Sequence, residues 1–180
     1  MFPVLTTNRL LLREITDEDA KDVFTCFSNN KVTRFYGQES LENIEQAKNI
    51  VEFFANSYKE KRGLRWGIEL KGSKGLIGTI GFNAWVPKHK RAEIGYEINP
   101  NYWRKGYASE AATAVISFGF ENIDLTRIGA VVFMKNESST NLLTKLGFQQ
   151  EGILRDYMYQ NGRANDTYIY SMLKRDFKYK

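Results

Sequence analysis

Three strand-like segments, joined by two short turn-rich spacers and followed at once by a glycine-bearing helix start, constrain this chain more than any other feature. The segments are residues 65–70, 76–85 and 91–98, and the spacers are Lys71-Gly72-Ser73-Lys74-Gly75 and Val86-Pro87-Lys88-His89-Lys90. Gly, Pro and Ser at such positions favour tight reversals, so the three strands are expected as antiparallel neighbours. The third strand runs through Asn99-Pro100 into a helix that starts within 103–108 and continues to about Asn122. That helix carries Ala111, Ala112, Val115 and Ile116 on one stripe, which needs a sheet face to bury it.

The flanking segments supply the rest of the layers. Residues 9–15 read as a strand, and a helix is expected to open at Thr16 with Asp17, Glu18 and Asp19 in its first turn. Ala20, Val23, Phe24 and Phe27 form its apolar stripe; a second helix, from after Ser40 to about Lys61, carries Ile44, Ala47, Ile50, Val51 and Phe54. Beyond the central helix come a strand at 127–134 and a short helix at 138–146 closed by Gly147. Two last strands, 149–159 and 163–173, flank the hairpin pair Asn161-Gly162. The order β α α β β β α β α β β reads as an α/β, layered α+β fold. At 180 residues, with no repeat or linker, residues 1–180 are expected as one domain.

Composition removes several function classes. Cys26 and His89 are the only residues of their types, so neither an internal disulfide nor a zinc cluster is available and no metal is expected. Cys26 falls beside a core stripe and His89 in a basic hairpin loop, and neither is expected to be catalytic. There is no apolar run of about 18 residues and no signal-peptide pattern after Met1, which points to a cytoplasmic protein without membrane contact. The formal charge of +5 suits a nucleic acid, an acidic protein or a polyanionic cofactor. Positive charge gathers at 59–75, at Lys88-His89-Lys90-Arg91 and in the tail 174–180; aromatics are not interleaved with these runs, which argues against single-strand nucleic-acid binding.

Residues 93–111 carry the chemistry. A strand enters a turn holding Arg104-Lys105-Gly106, and a helix follows immediately with Tyr107, Ala108 and Ser109. Unpaired amides and the positive end of the dipole make such a helix start a seat for pyrophosphate. Gly106 lets backbone approach the anion, Ala108 keeps the wall low, and Arg104 and Lys105 add charge. The spacing matches neither the P-loop nor the dinucleotide-binding glycine fingerprint.

With its neighbours, this segment resembles the GCN5-related N-acetyltransferase (GNAT) family, and within it the RimJ/RimL-like branch. Trp103-Arg104-Lys105-Gly106-Tyr107-Ala108 fits the last two fixed positions of that family's Q/R-x-x-G-x-G/A signature, with Trp at the first, where the branch often has an aromatic. Asn136-Glu137-Ser138-Ser139, running on to Leu146-Gly147-Phe148, is similar to its N-x-x-S…L-G-F helix. Glu151-Gly152, Asn161-Gly162 and Asp166, with a tyrosine-rich last strand, match a third region. The resemblance covers about residues 8–177.

The resemblance implies a mixed, mostly antiparallel central sheet flanked by helices, with splayed strands at an acetyl-CoA site. Acetyl-CoA would lie with its pyrophosphate on the amides of Arg104 to Ser109 and its arm beside the Tyr96–Ile98 strand; the N–H of Ile98 or Asn99 would polarise the thioester carbonyl. Asn136 would bond the arm near its thiol end. The tyrosine that serves many members as general acid is replaced here by Leu143, so the role passes to Ser139, as in RimL-like enzymes. Met158 stands where those enzymes place a carboxylate. Glu93, in Ala92-Glu93-Ile94-Gly95-Tyr96, is the first choice of base, ahead of Glu97, then Glu14 and Glu151, with water as the alternative. Tyr157, Tyr159, Tyr168, Tyr170 and Phe35-Tyr36 are candidates to border the acceptor. That acceptor is expected to be a protein N-terminus of the ribosomal type; the alternatives are a small amine such as a polyamine or aminoglycoside, or a non-catalytic CoA- or nucleic-acid-binding module. A homodimer is left open.

Overall fold

The computed structural model describes residues 1–178; Tyr179 and Lys180 of the basic tail lie outside the described residues. Eight strands form one sheet in the order β1-β2-β3-β4-β5-β6-β8-β7. They are β1 (Leu5–Thr6), β2 (Leu10–Glu14), β3 (Leu64–Leu70), β4 (Leu76–Val86), β5 (Arg91–Ile98), β6 (Arg127–Phe133), β7 (Gln149–Gln160) and β8 (Arg163–Leu173). The expected meander is there, with β3, β4 and β5 pairing antiparallel across both spacers. Among the described strands only β5 and β6 run parallel, and the connection between them is the crossover helix α4 (Tyr107–Glu121) that a parallel pair requires.

Strand alternation divides the helices between two faces. On one face Ile94 and Ile98 of β5, with Ile128, Ala130 and Val132 of β6, pack with Ala111, Ala112, Val115 and Ile116 of α4 and with Leu143 of α5 (Glu137–Leu146). Trp66, wholly buried, sits edge-on to Phe82 and Phe118 there and donates its indole N–H to the Pro3 carbonyl (2.8 Å), which ties down the N-terminal segment. On the other face α1 (Ala20–Phe27) and α3 (Ile44–Lys59) form a second cluster from Val23, Cys26, Phe27, Ala47, Val51 and Phe54. Burial pushes the Cys26 thiol up to about 12, so it stays protonated at ordinary pH.

Several boundaries depart from the sequence reading for local reasons. Thr16 opens a 3₁₀ turn, Asp17–Asp19, and not the α-helix itself, because the Asp19 carboxylate accepts the Thr16 N–H (2.9 Å) and two bonds from Arg13 (2.8 and 2.9 Å). The second long helix begins after Ser40 as expected, at Ile44, where the Asn43 side chain accepts the Gln46 N–H (3.1 Å), and ends at Lys59. A short helix α2 (Asn30–Thr33) and the two-residue β1 escaped the periodicity argument, being too brief to show a period. Asn161 and Gly162 both have positive φ, 52° and 73°, as their hairpin turn demands.

One polar network runs through the α1/α3 face. Arg65 and Glu97 are both buried and ion-paired; Thr79 accepts from Arg65 Nε (3.1 Å) and donates to Glu97 (3.0 Å), and Arg65 also reaches the Gly95 carbonyl (3.1 Å). Phe54 lies against the guanidinium, 5.5 Å from ring centre to carbon. Glu97→Ala leaves Arg65 buried and unpaired, a loss of about 3–5 kcal/mol. Thermal denaturation should show the midpoint falling by roughly 6–20 °C at this chain length; a midpoint within 2 °C or so of wild type would mean that Arg65 finds another partner.

Candidate active site

β5 and β6 pair for only three residues: Arg91 with Arg127, Ala92 with Ile128, and Glu93 with Gly129. Past that point β5 stays with β4 as far as Ile98, while β6 continues beside β8 from Ala130 to Phe133. Each strand keeps its outer neighbour, so the two part and leave a V-shaped gap whose apex is Glu93 and Gly129.

Backbone parity decides what faces the gap. Asn99 donates its N–H to the Ile77 carbonyl (2.8 Å). In an antiparallel ladder alternate residues bond the same neighbour, so Glu97 and Gly95 also turn toward β4, while the amides of Ile98 and Tyr96 turn toward the missing β6 partner. This corrects one expectation: Asn99's N–H is already engaged, and of the two amides considered for the carbonyl it is Ile98's that faces the gap. The indole of Trp103 caps the same strand end, donating to the Ile98 carbonyl (2.6 Å).

The turn that follows is built for an anion. Arg104 and Gly106 both adopt left-handed backbone, φ 59° and 81°, on either side of Lys105. Gly106 is the N-cap of α4 and is followed by right-handed helix at Tyr107, so consecutive amides converge as a backbone nest at the positive end of the helix. Arg104, Lys105 and Gly106 are exposed, and Tyr107, Ala108 and Ser109 are half-buried behind them. Lys105 leans over the Tyr102 ring, 5.5 Å from its centre. The gap and the nest are contiguous along β5 and α4, which fits a ligand with a phosphate-bearing head and an extended amide-containing arm.

Arg9, which nothing in its local sequence singled out, also reaches this turn. Its guanidinium donates to the Lys105 carbonyl (2.9 Å) and to Glu110 (2.7 Å), and it lies 4.6 Å from the Tyr107 ring centre.

α5 brings the second group of predicted residues to the gap. Asn136 is its N-cap, the side-chain oxygen accepting the Ser139 N–H (3.2 Å). The Ser139 hydroxyl is 2.7 Å from the Tyr96 hydroxyl, a bond that spans from α5 to β5. Burial pushes the Tyr96 phenol up to about 12, against the lowering effect of Ser139, so this hydroxyl pair is neutral at ordinary pH. Leu143 is buried in the core and supplies no acid.

The candidate bases separate clearly. Glu93 is half-buried on the α1/α3 face, and its carboxylate has no hydrogen-bond or ion-pair partner among the described residues. Burial raises its pKa against the opposing charges of Arg91 and Arg127. Glu97 is consumed by Arg65 and Thr79. Glu151 is held by Arg127 (2.7 and 2.5 Å) and Ser171 (2.6 Å), which draw its pKa down to about 2. Glu14 ends β2, three strands away from β5 in the sheet.

The expected aromatic border is only partly assembled. Phe35 packs on Phe133 with ring centres 6.0 Å apart, and buried Gln160 holds that loop by donating to the Thr33 and Gln38 carbonyls (2.8 Å each). Tyr36 packs inward on Phe27, Tyr170 is in the core, and Tyr157 and Tyr159 point outward from the edge strand β7. His89 is exposed. No cluster of His, Cys, Asp or Glu suited to a metal occurs among the described residues, and none of their helices is long and apolar enough to cross a membrane.

Comparison with known proteins agrees with this geometry. The model of the acetyltransferase (GNAT) domain matches residues 9–149. N-acetyltransferase YoaA of Bacillus subtilis (strain 168), itself uncharacterized, is 60% identical over 174 residues, covering 97% of this chain and 98% of its own. The spermidine N(1)-acetyltransferase of Escherichia coli (strain K12) is 29% identical, covering 87% and 81%; the ribosomal protein uS5-alanine N-acetyltransferase of the same organism is 26% identical, covering 96% and 92%. The crystal structure of a GNAT-family acetyltransferase from Bacillus anthracis superposes with a TM-score of 0.85 at 29% identity, covering 96% and 99%. A sheet splayed beside a glycine-capped helix start, a family model that matches residues 9–149, and relatives alike over most of their length place this chain in the GNAT family as an acetyl-CoA-dependent N-acetyltransferase.

Proposed function

We propose that this enzyme acetylates the α-amino group of a protein N-terminus, as the RimJ/RimL-like branch does, with Ser139 as acid and with Glu93 as base in place of the carboxylate that the branch has where Met158 stands. The observation that carries this reading is the placement of a partnerless, half-buried carboxylate at the apex of the gap. Glu93 is on the α1/α3 face, and the Ser139–Tyr96 hydroxyl pair is on the α4/α5 face. An amine entering from the first side meets the base, and a thiol leaving on the second meets the hydroxyls.

Acetyl-CoA supplies an acetyl thioester. Arg104 to Ser109 would hold its phosphates, the Tyr96 and Ile98 backbone its arm, and Asn136 the thiol end. Glu93 takes one proton from the attacking amine, directly or through water. The Ile98 N–H favours negative charge on the carbonyl oxygen, and Ser139 gives its proton to the departing sulfur, drawing on Tyr96 for replacement.

Charge and basicity support this choice of acceptor. Two cations, Arg91 and Arg127, act on Glu93; Glu151 pairs Arg127, but Arg91 has no ion-pair partner among the described residues, which disfavours a polycation there. An α-amino group, with a pKa near 8, is already partly neutral at pH 7, whereas an alkyl ammonium near 10.4 asks more of the base. A peptide panel with varied N-terminal residues, assayed beside spermidine for acetyl-CoA-dependent mass gain, tests the choice. Peptide acetylation is expected; transfer to spermidine alone would give the enzyme to the small-amine class, and no transfer to any amine would make it a binding module.

Glu93→Gln should lower kcat about 10²–10⁴-fold with the acetyl-CoA KM unchanged. Glu93 works deprotonated and burial raises its pKa, so the rate climbs with pH through a limb above the ordinary glutamate value near 4.3. That limb should vanish in Glu93→Gln, leaving only the amine's own; an unaltered profile would remove Glu93 from the role. Ser139→Ala should slow transfer in the same direction with acetyl-CoA affinity kept. Gly106→Val forces a β-branched residue into left-handed backbone, a strain of about 1–3 kcal/mol, and calorimetry should show acetyl-CoA binding weakened about tenfold or more. Undiminished affinity would mean that the phosphates lie elsewhere.

A further inference from the structure

The Lys105 carbonyl and the Gly106 N–H belong to one planar trans peptide and so point in opposite directions. Arg9, 96 residues earlier in the chain, donates from Nη1 to that carbonyl (2.9 Å). The carbonyl is thereby held back, and the Gly106 N–H is turned away from Arg9 toward the exposed side of the turn. The hold matters because Arg104, a non-glycine residue, sits in left-handed backbone at φ 59° and would relax if free.

Arg9 also settles a conflict of charge. Glu110 lies in the first turn of α4, where a carboxylate suits the helix dipole but repels a phosphate bound at the same end. Its oxygens are fully engaged: one accepts the Thr7 hydroxyl (2.6 Å) and the Arg9 N–H (2.8 Å), the other accepts Arg9 Nε (2.7 Å). Burial alone would raise the Glu110 pKa, but these donors outweigh it and keep the group ionised and matched. A Cβ at Gly106 would sit 3.3 Å from Arg9 Nη2, so the guanidinium flanks the nest itself.

We propose that Arg9 is a positioning residue for the nucleotide end of acetyl-CoA, fixing the peptide plane that presents the Gly106 amide and neutralising Glu110 beside the phosphates. The inference rests on placing the pyrophosphate at the start of α4. It concerns the strand β2 entry, which has no part in the family motifs quoted above.

The test compares two donors, acetyl-CoA and S-acetylpantetheine, which has the thioester arm but no nucleotide or phosphate. Arg9→Ala should raise the acetyl-CoA KM about tenfold to a hundredfold, as loss of a charge-assisted bond does, with kcat nearly unchanged. Its kcat/KM for S-acetylpantetheine should match wild type. Adding Glu110→Gln to Arg9→Ala should recover part of the acetyl-CoA affinity, because the exposed repelling charge is gone. Equal losses with both donors, or no recovery in the double variant, would make Arg9 a merely structural residue and overturn the proposal; so would an unchanged acetyl-CoA KM in folded Arg9→Ala. If Arg9→Ala does not fold, Arg9→Lys serves: it keeps the charge but cannot make the Nε and Nη1 bonds together, and a smaller rise confined to acetyl-CoA is expected. Wild-type enzyme that used both donors with equal KM would refute the phosphate site, a failure distinct from that of Arg9.

Discussion

Everything at the site depends on how short the parallel ladder between β5 and β6 is. Three registered pairs, ending at Glu93 and Gly129, hold the two halves of the sheet together. A longer ladder would close the gap and consume the amides of Tyr96 and Ile98; none at all would leave the β1–β5 half of the sheet without backbone bonds to the β6–β8–β7 half. The ladder ends because β6 follows β8 while β5 follows β4, and side chains bridge the gap on the α4/α5 face where backbone does not. The bond from Tyr96 to Ser139 is that bridge, and it joins the strand lining the gap to the helix that closes it.

The same separation sorts the chemistry. One face of the sheet carries an unpaired carboxylate and the other a neutral hydroxyl pair, so the proposed proton acceptor and proton donor lie on opposite sides of one backbone. Neutralised pairs surround both. Glu97 with Arg65, Glu151 with Arg127 and Glu110 with Arg9 each remove a carboxylate from competition, and Glu93 alone on β5 and its neighbours is left without a cation in contact. The buried Arg65–Glu97 pair lies directly beneath the reacting strand, where it fixes β3, β4 and β5 to one another.

Most of this architecture was legible in the sequence, because the long elements declare their period. The meander, the crossover helix, the closing Gly147 and the Asn161-Gly162 hairpin are local signals with local causes. The nest at Gly106 was legible too, since only a few residue types tolerate that backbone before a helix. What could not be read was set by contacts distant in the chain. Arg9 reaches Glu110 and Lys105 from about a hundred residues away, and Asp19 is drawn into a 3₁₀ turn by Arg13. Asn99 and Ile98 could not be distinguished as carbonyl partners before the register of β4 against β5 was known. Glu97 stood as the second choice of base after Glu93, since alternation puts both on one face and says nothing about Arg65.

Amide hydrogen exchange of β5, resolved by residue and measured with and without acetyl-CoA, tests the central claim most directly. The Tyr96 and Ile98 amides, unpaired toward β6, should exchange readily in the free enzyme and become strongly protected when the cofactor arm lies beside them. The amides of Glu97 and Asn99, already bonded to β4, should be protected in both states. Protection of Tyr96 and Ile98 that acetyl-CoA leaves unchanged would contradict the account, because the gap between β5 and β6 would then not be where the cofactor binds.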